Sequence, residues 1–360
     1  MFAVFFAVSF LVGTVATAII RKFAIASDIT DKPTESRKIH SKPIPLLGGV
    51  AVFATIFLMI IVILTIPDGS RFLTDSHVTL KHIVGFLSGA FVLIVGGFLD
   101  DRYNLKPYHQ IAFPLLTALI VIGSGIGVTS ITNPLGGSIN LTSVQFQLFT
   151  LNGVPYYFTL WSDILTFFWL LSTIYTTKFL DGLDGLVAGM TVIGCVVLFF
   201  ISIFLFVNIP TASLASIIGG AFAGFLVWNF NPAKIFLGEA GSTLAGYVLG
   251  ILAIISGAKF ATALLILGIP LLDACHVIFR RLILERRSPF KGDRKHIHFR
   301  LYDMGCTQRQ AVLILYCIAA FFGVTALFLQ SSQKATALLV VFLLMILLSF
   351  TYKKNTASNR

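Results

Sequence analysis

Apolar residues run through this chain in blocks of about twenty, parted by short polar stretches. Twenty residues of α-helix rise about 30 Å, the thickness of a bilayer's hydrocarbon core. Each block therefore predicts a transmembrane helix. Eleven are read, over 2–20, 44–66, 83–99, 110–129, 160–177, 186–207, 211–228, 240–257, 260–279, 310–330 and 336–352. The expected fold class is an all-α polytopic membrane protein of about eleven transmembrane helices, one integral-membrane domain over 1–360. No basic residue precedes the first block and no small-residue cleavage pattern follows it, so it reads as a retained helix. The longest polar loop, 130–158, carries no charge and alternates through SITNPLGGSINLTSVQFQL, which predicts a short β-hairpin on the outer face.

Composition agrees with the pattern. Hydrophobic residues make up 57% and charged residues 11%, against about 25% charged in soluble domains. The net charge of +11 could suggest a nucleic-acid partner, but its distribution argues otherwise. If the N-terminus is outside and the C-terminus cytoplasmic, 22 of the 26 Lys and Arg fall on inner segments and four (Arg71, Lys81, Lys259 and Lys334) on outer ones. That is the positive-inside bias, and it accounts for the charge with no nucleic acid. Four cysteines show no CxxC spacing and give no metal or disulfide signal.

The acids are as unevenly placed as the bases. Only Asp68, Asp75 and Asp163 of the fifteen fall on or near the outer side. Asp100 and Asp101 end the third block; as helix neighbours about 100° apart they should find different partners. Asp181 and Asp184, in LDGLDGL, would share a face if a helix begins there, and Glu239 opens the eighth block. One such Asp alone would read as a helix cap. Five acids at one membrane surface suggest a divalent cation, a polyphosphate held through it, or a proton path. Complementary charge comes from KGDRKHIHFRL, where Arg294 and Lys295 flank His296 and His298. A transporter is the competing class, but it should carry ionisable groups near the midplane and often inverted repeats, whereas the acids here gather on one face and no repeat is visible.

The segments DKPTESRKIHSKPIPLLGG, LDDRYNL, DGLDGL, NPAKIFLGEAGS and DRKHIHFRL, in this order, resemble the polyprenyl-phosphate N-acetylhexosamine-1-phosphate transferases of glycosyltransferase family 4. The histidine segment is closer to the WecA and TagO branch than to MraY, which favours UDP-GlcNAc over a UDP-MurNAc-pentapeptide donor. The resemblance implies transfer of a sugar phosphate from a UDP-sugar to a polyprenyl (undecaprenyl) phosphate at the cytoplasmic face of the cell membrane, with release of UMP. It implies Mg2+, with Mn2+ as a substitute, and leaves a homodimer open. By the same likeness Asp100 orients or deprotonates the lipid phosphate and Asp101 supports it. Asp181 completes the acid wall, and Asp184, Asn229 and Phe236 face the nucleoside. His298, with His296, meets the pyrophosphate; on charge alone, Arg294 holds phosphate oxygens and Lys42 meets the lipid phosphate.

Three positions depart from the family pattern: Lys178 stands where Asn is usual, Glu239 where Asp is usual and Phe299 where a further His is common. A lysine ammonium only donates and cannot ligate a metal, whereas glutamate can. The preferred expectation is that Lys178 snorkels to the surface while the metal sits on Glu239 and Asp184, because pyrophosphate transfer calls for a strong cation. In the alternative, Lys178 and Glu239 changed together and face each other across the site, so that the ammonium supplies part of the charge neutralisation for the substrate. The departures also raise a catalytically impaired homologue as a further reading.

Overall fold

The structure is a computed structural model, and it describes residues 1–33, 42–133, 137–151, 154–256 and 297–329, with isolated positions at 268, 273, 333, 336, 337 and 340. The expected blocks 260–279 and 336–352 lie essentially outside the described residues, as do Arg294, Lys295 and His296.

The described chain is mostly helical. Its helices are α1 Phe2–Ala26, α2 Gly48–Thr65, α3 Leu80–Tyr103, α4 Pro107–Gln110, α5 Ala112–Gly123, α6 Leu160–Leu180, α7 Leu186–Phe204, α8 Ile209–Asn229, α9 Gly238–Ile255, α10 Ile297–Asp303 and α11 Gln308–Phe328. Among the described residues, α1, α2, α3, α7, α8, α9 and α11 are long and apolar enough to cross a membrane. This is a multi-pass membrane protein. The expected span 110–129 is shorter than predicted, because α4 and α5 together end at Gly123 and the chain then leaves helical geometry. α6 is long, but it carries Asp163 in its first turn and Lys178 in its last.

α8 and α9 are the most buried spans, and α1 is the least. α8 packs between α1 and α7, while α9 packs on α3, α6 and α2. Tyr247 of α9 reaches across to α3, its hydroxyl donating to the Phe86 carbonyl at 2.8 Å while the two rings stack. Where α9 begins, small residues allow backbones to touch. A Cβ at Gly49 of α2 would collide with the Gly241 backbone, and one at Gly97 of α3 with that of Ala240. Close approach through glycine is how helices pack in lipid, where hydrophobicity gives no drive to associate. It brings the ends of α2 and α3 against the residues flanking Glu239.

The long uncharged loop is two hairpins where one was expected. Strand β3 (Ser130–Thr132) pairs with β4 (Ser138–Asn140), and β5 (Gln145–Leu151) pairs with β6 (Val154–Thr159), all antiparallel. The first ends because the Asn140 side chain accepts from both the backbone N–H and the hydroxyl of Thr142, a local turn that competes with the ladder. Strands β1 (Thr30–Asp31) and β2 (Ile44–Pro45) form a two-residue antiparallel pair, with Lys42 exposed beside it.

Candidate active site

Four helix ends and one loop meet around the acids. Asp100, in the last turn of α3, accepts from the Leu105 N–H and from Gln110 Nε2, both at 2.8 Å. Asp101 points elsewhere: its Oδ1 accepts from the Glu239 N–H at 2.9 Å, holding the start of α9. The different partners expected for these neighbours are thus found. A carboxylate at a helix N-terminus also meets unsatisfied N–H groups and the positive end of the helix dipole. The other Asp101 oxygen, Oδ2, is buried and has no hydrogen-bond partner. It lies against Gly238, whose φ of +73° and lack of a Cβ make the approach possible.

Lys178 overturns the preferred expectation. Its ammonium does not reach for the surface but lies 2.5 Å from Glu239 Oε1 and donates to Gln110 Oε1 at 2.9 Å. The ring of Tyr175, one turn earlier, is 5.7 Å from the charge. The physical reason is enthalpic: two acceptors at these distances satisfy the ammonium without the surface contact that snorkelling supplies. Gln110 is the hub, giving its amide nitrogen to Asp100 and its oxygen to Lys178. Asp100, Gln110 and Glu239 line a hollow with Leu93, Gly96, Gly97, Phe113, Pro114 and Thr243.

Asp181 and Asp184 do not share a helix face. α6 ends at Leu180 and α7 begins at Leu186, so both stand in the turn between. Gly185 caps α7 with φ +80°, a conformation that stops a helix from forming earlier. Burial first, then the charges of Glu239 and Asp184, push the Asp181 carboxyl up to about 7. Its side chain nevertheless remains open to water on one side. Asp184 is tied to the loop after α8, where its Oδ2 accepts from Asn231 Nδ2 at 2.9 Å and from the Ala233 N–H at 3.0 Å.

Asn229 is buried and holds this loop from both ends of its amide. Its oxygen accepts from the Gly185 N–H at 3.0 Å and its nitrogen donates to the Ile235 carbonyl at 2.9 Å. These two bonds let Asn229 position the loop. Half-buried Phe236 follows on the same loop, its backbone bonded to Pro45 and Gly48. His298 falls within α10; its side chain, like His296 and Arg294, lies outside what is described.

Several residues that shape the site escaped sequence reading. Gln110 sat at the predicted start of an apolar block, and only its polarity hinted at a role. At α11, Gln308 accepts from Asn231 Nδ2 at 2.7 Å, Arg309 Nε donates to the Asn231 carbonyl at 2.9 Å and the Tyr316 hydroxyl donates to the Gly185 carbonyl. α11 therefore clamps the loop that holds Asp184. No motif signalled this.

The expected metal ligands test poorly against this donor set. Glu239 already holds an ammonium and Asp184 accepts two N–H groups. Among the described residues, no group of three His, Cys, Asp or Glu is placed to hold a metal ion.

A bundle of membrane-spanning helices that gathers acids, an ammonium and a clamped polar loop at helix ends defines a multi-pass membrane protein with a polar site at those ends. Comparison with known proteins gives it a family. The model for glycosyl transferase family 4 matches residues 83–257, which hold all five acids. A probable undecaprenyl-phosphate N-acetylglucosaminyl 1-phosphate transferase of Bacillus subtilis is 31% identical over 349 residues, covering 95% of this chain and 88% of that protein. An undecaprenyl-phosphate alpha-N-acetylglucosaminyl 1-phosphate transferase of Escherichia coli (strain K12) is 30% identical, covering 93% and 86%. A decaprenyl-phosphate N-acetylglucosaminephosphotransferase of Mycolicibacterium smegmatis is 28% identical, covering 89% and 80%. The chain belongs to glycosyl transferase family 4.

Proposed function

We propose that this protein transfers N-acetylhexosamine-1-phosphate, with GlcNAc-1-phosphate foremost, from a UDP-sugar to a polyprenyl phosphate and releases UMP. The observation that carries the reading is the convergence of Asp100, Asp101, Lys178 and Glu239 on one hydrogen-bonded network. Asp181 lies within electrostatic reach of Glu239 and Asp184. An oxygen of the lipid phosphate attacks the sugar-bearing phosphorus, and the bond from that phosphorus to UMP breaks. Little covalent work falls to the protein in phosphoryl transfer; its tasks are to position two anions and offset their charge.

Asp100, on the wall of the hollow, orients the incoming lipid phosphate. Asp101 positions the start of α9 for that wall. The loop of Asn229, Asn231 and Phe236, pinned to Asp184 and α11, frames the nucleotide side, with Phe236 offering a ring for uracil to stack on. Lys42, Arg294, His296 and His298 supply further cationic contacts to phosphate in this reading. Because the donor set around Glu239 and Asp184 does not suit a divalent ion as it stands, no step is assigned to Mg2+ or Mn2+. The reading also carries eleven spans in a single domain, with the N-terminus outside, the C-terminus cytoplasmic and the site at the inner face of the cell membrane.

The test is to supply purified protein with polyprenyl phosphate and a panel of UDP-sugars, and to weigh the lipid product by mass spectrometry. UDP-GlcNAc is expected to yield a lipid heavier by one GlcNAc-phosphate. A product formed only from UDP-MurNAc-pentapeptide would move the protein to the other branch, and no product from any UDP-sugar would refute the reading.

A further inference from the structure

Three carboxylates and one ammonium meet where α3, α4, α6 and α9 end. The ammonium of Lys178 stands 2.5 Å from Glu239 Oε1 and 2.9 Å from Gln110 Oε1, and the Lys178 and Glu239 side chains are each only 19% exposed. Through Gln110 it is linked to Asp100, and through the Glu239 backbone to Asp101, whose Oδ2 is buried and unpartnered. A cation in this position neutralises acids that would otherwise repel one another in a poorly solvated site.

We propose that Lys178 is the resident counter-cation of this site: its ammonium holds the place beside Glu239 that a divalent ion would take, so the protein without substrate binds no divalent ion there. An ion bonded to a Glu239 oxygen at about 2.0 to 2.6 Å would lie beside Nζ and be repelled by it. The ammonium, having no lone pair, cannot become a ligand. In the transfer reaction proposed above, on which this last step alone rests, the same ammonium beside Glu239 offsets part of the phosphates' charge.

The experiment titrates the purified full chain with Mn2+ alone, without UDP-sugar or lipid, and reads free Mn2+ by electron paramagnetic resonance. Wild type is expected to bind no Mn2+ that depends on Glu239. Lys178→Asn, which removes the charge and leaves Glu239 and Asp100 free to ligate, is expected to bind one Mn2+ at least tenfold more tightly than wild type. Equal affinity in the two proteins, whether both bind or neither does, overturns the proposal. Should Lys178→Asn fail to fold, wild type decides against Glu239→Gln: a Mn2+ site present in wild type and lost in that variant overturns it, and no such site upholds it. Because no substrate is involved, a protein inactive towards UDP-sugars still answers the question, so the outcome is separate from that of the proposed function.

Discussion

Asp101 offers a clean separation of positioning from chemistry. Its Oδ1 accepts the Glu239 N–H at the start of α9, and its Oδ2 is buried without a partner. Asp101→Ala removes the acceptor and leaves that N–H unsatisfied. Hydrogen bonds to charged groups contribute about 1.5–3 kcal/mol, while the N–H left bare and the bare Oδ2 removed carry about 1–3 kcal/mol each and offset one another. The dipole term at a helix start adds about 0.3–1 kcal/mol to the loss. A net destabilisation of about 2 kcal/mol follows. Asp101→Asn keeps the Oδ1 acceptor and sheds the charge, so it should cost under about 1 kcal/mol. At about 2–4 °C per kcal/mol, scaled from domains smaller than this one, the alanine variant should melt about 4–8 °C below wild type and the asparagine variant within about 3 °C. Melting in detergent, followed by tryptophan fluorescence, reads both. The asparagine variant should also keep measurable UMP release if Asp101 acts by holding α9. An asparagine variant as unstable as the alanine variant would refute this reasoning, because it would mean that the charge and not the acceptor holds the helix.

Two further predictions test the packing and the electrostatics. Gly97→Ala drives a Cβ into the Ala240 backbone and should cost about 1–3 kcal/mol together with most activity; Gly123→Ala, with open space around it, should be neutral in both melting and UMP release. Asp181, pushed up to about 7, holds its proton more tightly folded than unfolded. It therefore favours the folded state at low pH, and that contribution is lost as pH rises from about 4 through 7. Asp181→Asn should melt above wild type at pH 8, with the gap closing towards pH 5, and solvent screening of this open carboxyl keeps the gap small. A gap that widens on acidification would reverse the sign.

How far the sequence carried the structure depends on the kind of signal each residue gives. Apolar blocks of bilayer length placed α1, α2, α3, α7, α8, α9 and α11 to within a few residues, because in lipid every backbone polar group must be satisfied internally and a helix does so locally. The divergence of Asp100 and Asp101 was likewise legible from helical geometry. The apolar block beginning at 186 matched the start of α7, while the conditional shared face of Asp181 and Asp184 failed, since Gly185 caps the helix after both of them. The Lys178–Glu239 pair was weighed but ranked second, because pyrophosphate transfer calls for a strong cation; the Gln110 oxygen that completes the ammonium's contacts comes from a different helix end and left no signal. The α11 clamp on Asn231 spans 77 positions of sequence and left no local trace.

The central claim is that these converging acids make a UDP-sugar transferase site, and UMP release tests it most directly. Wild-type protein given UDP-GlcNAc and polyprenyl phosphate is predicted to release UMP, while Asp100→Asn and Asp184→Asn, each melting as a folded protein, release none. Wild-type rates in both variants would contradict the account.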